Sequence, residues 1–236
     1  HGDVAGAIAA MKMAVESTPV GGESWLWTLT HLGNLHFNKG DLAQAESIYR
    51  QVLQVRTDYP YALAGVARVL GAQGDFAQAI STLQPVSERL PLPEFLTLLG
   101  ELYEVSGDQK SARAQYDLVA VIQQLNAGAG MNVDLEMALF NANHGADAEA
   151  TVAQARAAYA DRPTIYAADA LAWALFNAGN FAEAQKYSDE SLRLGTADAM
   201  LHFHAGKIAE ALGDSTAASA HLQKAFKINP YFSLLL

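Results

Sequence analysis

The chain contains no cysteine. Disulfides, thiolate zinc sites, iron–sulfur clusters and cysteine nucleophiles are thereby excluded. Charge is sparse as well: 17% of residues are Asp, Glu, Lys or Arg, and acidic residues outnumber basic ones by 25 to 15. A net charge of −10 argues against nucleic-acid or anionic-membrane binding, where a basic surface supplies most of the affinity, and it permits a basic partner. No apolar run approaches the length of a membrane-spanning helix. Catalytic signatures are missing too. Gly128-Ala129-Gly130 has no strand before it and no Lys after it, so it is not a phosphate loop, and no nucleophile elbow occurs. The residues therefore call for no cofactor and no enzyme.

What the chain does have is a period. Gly followed five positions later by Ala occurs at Gly2/Ala7, Gly40/Ala45, Gly74/Ala79, Gly107/Ala112, Gly145/Ala150, Gly179/Ala184 and Gly213/Ala218. The intervals between successive Gly residues are 38, 34, 33, 38, 34 and 34 residues. Around Gly40, residues 25–38 read as one helix, with Leu29, Leu32 and His36 a turn apart. Residues 42–56 read as a second helix, with Ala45, Ile48, Tyr49 and Val52 on one face. Gly40 falls where the first helix must end in a left-handed residue, and Asp41 where the next needs an acceptor for its free amides. Seven residues before each internal Gly stands a small residue: Gly33, Ala67, Gly100, Ala138, Ala172 and Gly206. Small side chains there let two antiparallel helices approach closely. An enlarged one would overpack the contact by about 1–3 kcal/mol.

This combination resembles the tetratricopeptide repeat family, over nearly the whole chain. The family's Pro near the end of the second helix is met at Pro19, Pro91 and Pro230, and approximately at Pro60 and Pro163. Its Trp near the start of the first helix is replaced by Leu29, Leu63 and Leu96. The resemblance implies an all-α, right-handed superhelical solenoid of antiparallel helix pairs, with about six full repeats and a partial N-terminal one. The segments 162–175, 133–140 and 229–233 are similar to a group of bacterial tetratricopeptide proteins without an assigned biochemical role. Members of that group often look exported, which leans localisation the same way.

Helix pairs are expected at 23–56, 57–89, 92–126, 131–160, 163–194 and 197–228, after a lone second helix at 3–17. The chain opens at His1 inside a repeat, so it reads as a fragment. The two longer intervals place extra residues at 17–22 and at 126–130. The second is the expected break in superhelix angle, too short for a flexible linker, so one domain over 1–236 is expected. Pro85 falls inside a second helix and should bend it. The apolar ending 230–236 either folds back, pairs with another chain or marks a cut end.

The resemblance also places the groove. First helices line the concave face, which here offers His31, Asn34, Phe37 and Asn38, then Tyr61 and Arg68, then Glu94, Thr97, Glu101 and Glu104. Further along it offers Asn132, Glu136 and Asn143, then Tyr166, Asp169, Trp173 and Asn177, and last Phe203, His204 and Lys207. Amides bond a peptide backbone, aromatics hold apolar anchors and carboxylates prefer Lys or Arg. The expected ligand is thus a protein or peptide, basic or aromatic in part. The family's clamp for C-terminal carboxylates is not met, because Thr30, Tyr61 and Gly65 stand where it needs Lys, Arg or Asn.

Other readings weigh less. Glu94, Glu101 and Glu104 share a helix face and read first as a solvated acidic face. His202 and His204, two apart on a helix, point in different directions and are poor ligands for one metal ion. His36 and His202 are expected to pack partly buried between helices. Trp173 and Phe176 read as packing rather than as a cofactor pocket. The alternative to a binding scaffold is a self-assembling structural protein, a homo-oligomer joined through its apolar ends.

Overall fold

The computed structural model describes residues 3–130, 134–145 and 147–236. Gly2 of the first Gly/Ala pair and the groove candidate Asn132 lie outside them. Among the described residues all regular structure is α-helical: α1 (Val4–Ser17), α2 (Glu23–Asn38), α3 (Leu42–Val55), α4 (Pro60–Ala72), α5 (Phe76–Arg89), α6 (Pro93–Val105), α7 (Gln109–Gly128), α8 (Asp134–Asn143), α9 (Ala148–Asp161), α10 (Ile165–Asn177), α11 (Phe181–Leu192), α12 (Ala199–Ala211) and α13 (Ser215–Ile228). The expected pairs are therefore α2/α3 through α12/α13. Helix α5 continues through Pro85. Helix α7 is the longest, and runs three residues past the expected Leu125.

Each corner is built as its sequence requires. Gly40 has φ +81°, and the equivalent Gly74, Gly107, Gly145, Gly179 and Gly213 are also left-handed. A Cβ there would be strained, which is why the period is written in glycine. At four of these corners the next residue, an Asp, caps the following helix. The carboxylates of Asp41, Asp75, Asp108 and Asp214 accept from the amides of Gln44, Gln78, Ser111 and Ala217. At Gly145 the corner is one residue longer, and Asp147 is the cap instead. The following helix starts late by one position. Thr151 is buried in the close contact, and Ala150, expected there, is exposed.

Internal contacts divide the chain into two compact units. One comprises Asp3–Gln124 with Tyr231–Leu236, the other Leu125–Pro230. In the first unit α2 packs on α3, α3 on α4, α4 on α5 and α5 on α6, and the first helices also touch each other, α2 with α4 and α4 with α6. Its core joins Leu26, Tyr49, Val52, Leu83, Leu99 and Leu102. Leu234 of the apolar ending is partly buried against this core, where it and Leu102 both lie over Gly71. In the second unit α10 is central, touching α8, α9, α11 and α12, around a core of Leu171, Leu175 and Ile208.

Glycine at the close contact has a specific cause. A Cβ on Gly33 would lie 2.5 Å from Cε1 of Tyr49, and one on Gly65 equally close on the next helix. One on Gly100 would lie 2.4 Å from Tyr116 Cε1, and one on Gly206 2.7 Å from Leu222 Cγ. The bulky residue stands sixteen positions after each glycine of the pair. Where the small residue is Ala67 or Ala172, that position holds Leu83 or Ser188. Small and large are thus chosen together: both tyrosines at this position face glycine.

Candidate functional site

Helices α2, α4 and α6 carry the expected groove residues of the first unit on adjoining surfaces. Arg68 of α4 holds its guanidinium 4.1 Å from the ring centroid of Phe37 on α2, a cation–π contact. The same Arg68 acts on Glu94 and Glu101 of α6, and His31 of α2 acts on Glu94. Four side chains from three successive first helices therefore share one electrostatic neighbourhood. Glu94 is an exposed residue whose carboxyl is partly desolvated, and this raises it against the pull of Arg68 and His31. Burial raises Glu101 further, to about 7, with Arg68 opposing and Glu104 adding to the rise.

Tyrosines from the second helices reach the same neighbourhood. The Tyr49 hydroxyl donates to Asn34 Oδ1 at 2.6 Å, and the Tyr116 hydroxyl to Glu104 Oε2 at 2.8 Å. Burial pushes Tyr49 up to about 12, so it remains a donor. Asn34 and Glu104 are thus held by neighbours within their own helix pairs. His31 stacks on Trp27 at 3.8 Å. Asn38, Tyr61 and Glu94 are exposed, and Tyr61 meets Phe95 edge-on. Phe37, expected as a surface contact, is buried beneath Arg68.

In the second unit the expected groove residues mostly tie first helices to each other. His204 Nδ1 of α12 lies 2.9 Å from Asp169 Oδ2 of α10, and both side chains are enclosed. Neither reaches the surface expected of it: both are buried, and this contact satisfies one polar atom of each. Trp173 stacks on His204 at 4.1 Å and on Phe176 at 4.8 Å, nearly parallel to both. Its Nε1–H donates to Asn143 Oδ1 on α8. Asn177 Nδ2 donates to the Ala142 carbonyl. Tyr166 and Glu136 are exposed, Phe203 is half-buried beside Trp173, and Lys207 pairs with Glu210.

Several of these partners were missed at the level of sequence. His204–Asp169 and Asn177–Ala142 are 35 residues apart, Trp173–Asn143 30, and the Arg56–Glu23 ion pair 33. Complementary side chains separated by about one period are neighbours on adjacent helices, and that spacing was the available signal. His202 and His204 turn to different helices, to His221 on α13 and to Asp169 on α10. Among the described residues no group of three or more His, Asp and Glu is placed to hold a metal ion, and no helix is long and apolar enough to cross a membrane.

Family models of the tetratricopeptide repeat match residues 36–102 and 170–231, together more than half of the chain. Among solved structures, a tetratricopeptide repeat protein from Parabacteroides merdae is 20% identical over 99% of this chain and 93% of its own, with a TM-score of 0.54. A thermophilic repeat protein of Thermus thermophilus is 20% identical over 79% of this chain and 98% of its own, with a TM-score of 0.58. PilW, a type IV pilus biogenesis factor, is 19% identical over 91% and 98%, with a TM-score of 0.50. At these identities the likeness is one of fold. No curated protein matches the chain. The repeated Gly-Asp corners, the matched small and large residues of each helix pair and both family models agree: this chain belongs to the tetratricopeptide repeat family.

Proposed function

We propose that this protein is a non-catalytic scaffold that binds a protein or peptide segment on its first-helix surface. Tetratricopeptide repeats are in general protein-interaction scaffolds. The observation that carries the reading here is the shared neighbourhood of His31, Arg68, Glu94 and Glu101, contributed by three successive first helices. Desolvated carboxyls on a binding surface gain from a cation that replaces lost water, so the segment is basic in part. Exposed Tyr61 beside it offers an aromatic face for an apolar or cationic side chain. In the second unit the exposed Tyr166, Glu136 and Asn177 are the contacts, while Asp169, His204 and Trp173 hold the helices that present them.

The test is quantitative capture from native extract with three proteins: the parent, Arg68→Glu and Tyr61→Ala. Circular dichroism first establishes that all three are equally helical. A protein retained by the parent and lost from both variants, and then bound directly with the same ranking when purified, supports groove recognition. Retention of every bound protein by both variants sinks it.

A further inference from the structure

We propose that His202 and His221 form an acid-labile clasp holding α12 to α13. The two Nδ1 atoms lie 3.0 Å apart and the ring centroids 5.3 Å apart with planes 24° apart, so the rings meet edge to edge through these nitrogens. Two imidazole nitrogens at that distance require one proton between them, so at least one Nδ1 is a bare acceptor.

The surroundings decide which. Nε2 of His202 is buried and has no hydrogen-bond partner. A lone pair left there costs less than an orphaned N–H. His202 therefore carries its proton on Nδ1 and donates to Nδ1 of His221. His221, half-buried, carries its own proton on Nε2.

Acid has two places to act, and both break the arrangement. A proton on Nδ1 of His221 removes the acceptor and sets two N–H groups against each other. A proton on Nε2 of His202 creates a buried cation with no acceptor. The charged groups facing the pair are Lys224 on α13 and Asp189 on α11, and Lys224 disfavours protonation of both rings. Burial lowers His202 from its ordinary 6.5 to about 4, with Lys224 and His221 adding to the effect, and burial also lowers His221.

The sign follows from linkage. Unfolded histidine takes up its proton as pH falls through about 6.5, while the clasped pair resists, so the clasp is at full strength above that pH and weakens below it. A site with the His202 shift loses at least about tenfold in its closed-to-open ratio between pH 7.5 and 5.0.

The experiment is hydrogen exchange of the amides in α12 and α13 of the full chain at both pH values, corrected for intrinsic rates. The parent is expected to show about a tenfold rise in opening at pH 5.0 in these two helices, with a smaller rise in α2 to α5. The double variant His202→Gln, His221→Gln keeps a hydrogen-bonding pair of side chains without a titrating group, and is expected to lose that rise. Nitrogen shifts of the parent's imidazoles supply a readout independent of any variant: above pH 7, His202 protonated on Nδ1 and His221 on Nε2. A tenfold rise persisting in the folded double variant, no rise in the parent, or both rings protonated on Nε2 would each overturn the clasp.

Discussion

The indole of Trp173 lies 4.1 Å from the imidazole of His204 and within 12° of parallel to it. His204 is in turn held by Asp169, and Trp173 by Asn143, so four side chains lock α8, α10 and α12 together. Trp173→Ala is therefore expected to destabilise the protein by about 3 kcal/mol, as loss of a packed aromatic does. Trp173→Phe retains the stack and forfeits the Asn143 bond, costing about 1 kcal/mol. Urea denaturation of both variants checks the order. Equal stability of parent and Trp173→Ala would return Trp173 to the role of a surface anchor.

A second expectation concerns the tyrosine between two glycines. Gly33→Ala puts a methyl into the Tyr49 ring, which Gly65 confines from the other side. The ring cannot withdraw, and the cost is about 1–3 kcal/mol. The double change Gly33→Ala, Tyr49→Leu copies the Ala67 and Leu83 combination that the next repeat already uses. It is expected to recover part of the loss, read as a higher urea midpoint than Gly33→Ala alone. No recovery would mean that Gly33 serves backbone approach rather than the ring.

These cases mark what the sequence could express. The helix boundaries were legible because Gly, Asp and the small residues act locally, within a corner or one helix pair. The lengthened corner at Gly145 hid its own effect: the frame of Ala positions predicted Ala150 inside, and the cap at Asp147 moved Thr151 there. The exposure of the candidate groove residues was less legible. Their positions on the first helices could be read from the period, but burial depends on what the neighbouring first helix supplies, and Asp169 with His204 shows a pair made only by stacking. Tyr49 and Tyr116 escaped as polar partners because they read as core residues of second helices.

Capping offers a third test. Asp75 accepts from the Gln78 amide, whereas Asn180, at the equivalent corner, makes no side-chain capping bond. Asp75→Ala is expected to cost about 1 kcal/mol and Asn180→Ala at most a few tenths. Asn180→Asp should gain several tenths from the helix dipole. Thermal melts of the three variants, each against the parent, decide the matter. Equal losses at Asp75 and Asn180 would show that both caps act through the backbone alone.

The fourth prediction joins stability to binding through Glu101. Its carboxyl is raised to about 7, chiefly by burial, with Glu104 adding to the rise and Arg68 opposing it. A carboxyl raised on folding binds more protons in the folded state than in the unfolded one between its two pKa values. Its contribution to stability is therefore present below the unfolded value near 4.5 and lost as pH rises through 7. Glu101→Gln keeps the shape and removes the charge, so it should melt higher than the parent at pH 8, with the difference vanishing below pH 4.5. A lower melting temperature at pH 8 would mean that attraction to Arg68 outweighs burial. The same group gives the partner reading a signature. A Lys or Arg side chain arriving beside Glu101 favours the carboxylate, so binding near pH 7 releases a proton. Calorimetry in buffers of different ionisation enthalpy should detect that proton with the parent and not with Glu101→Gln. A captured partner that binds without proton release from the parent does not place a cation at Glu101.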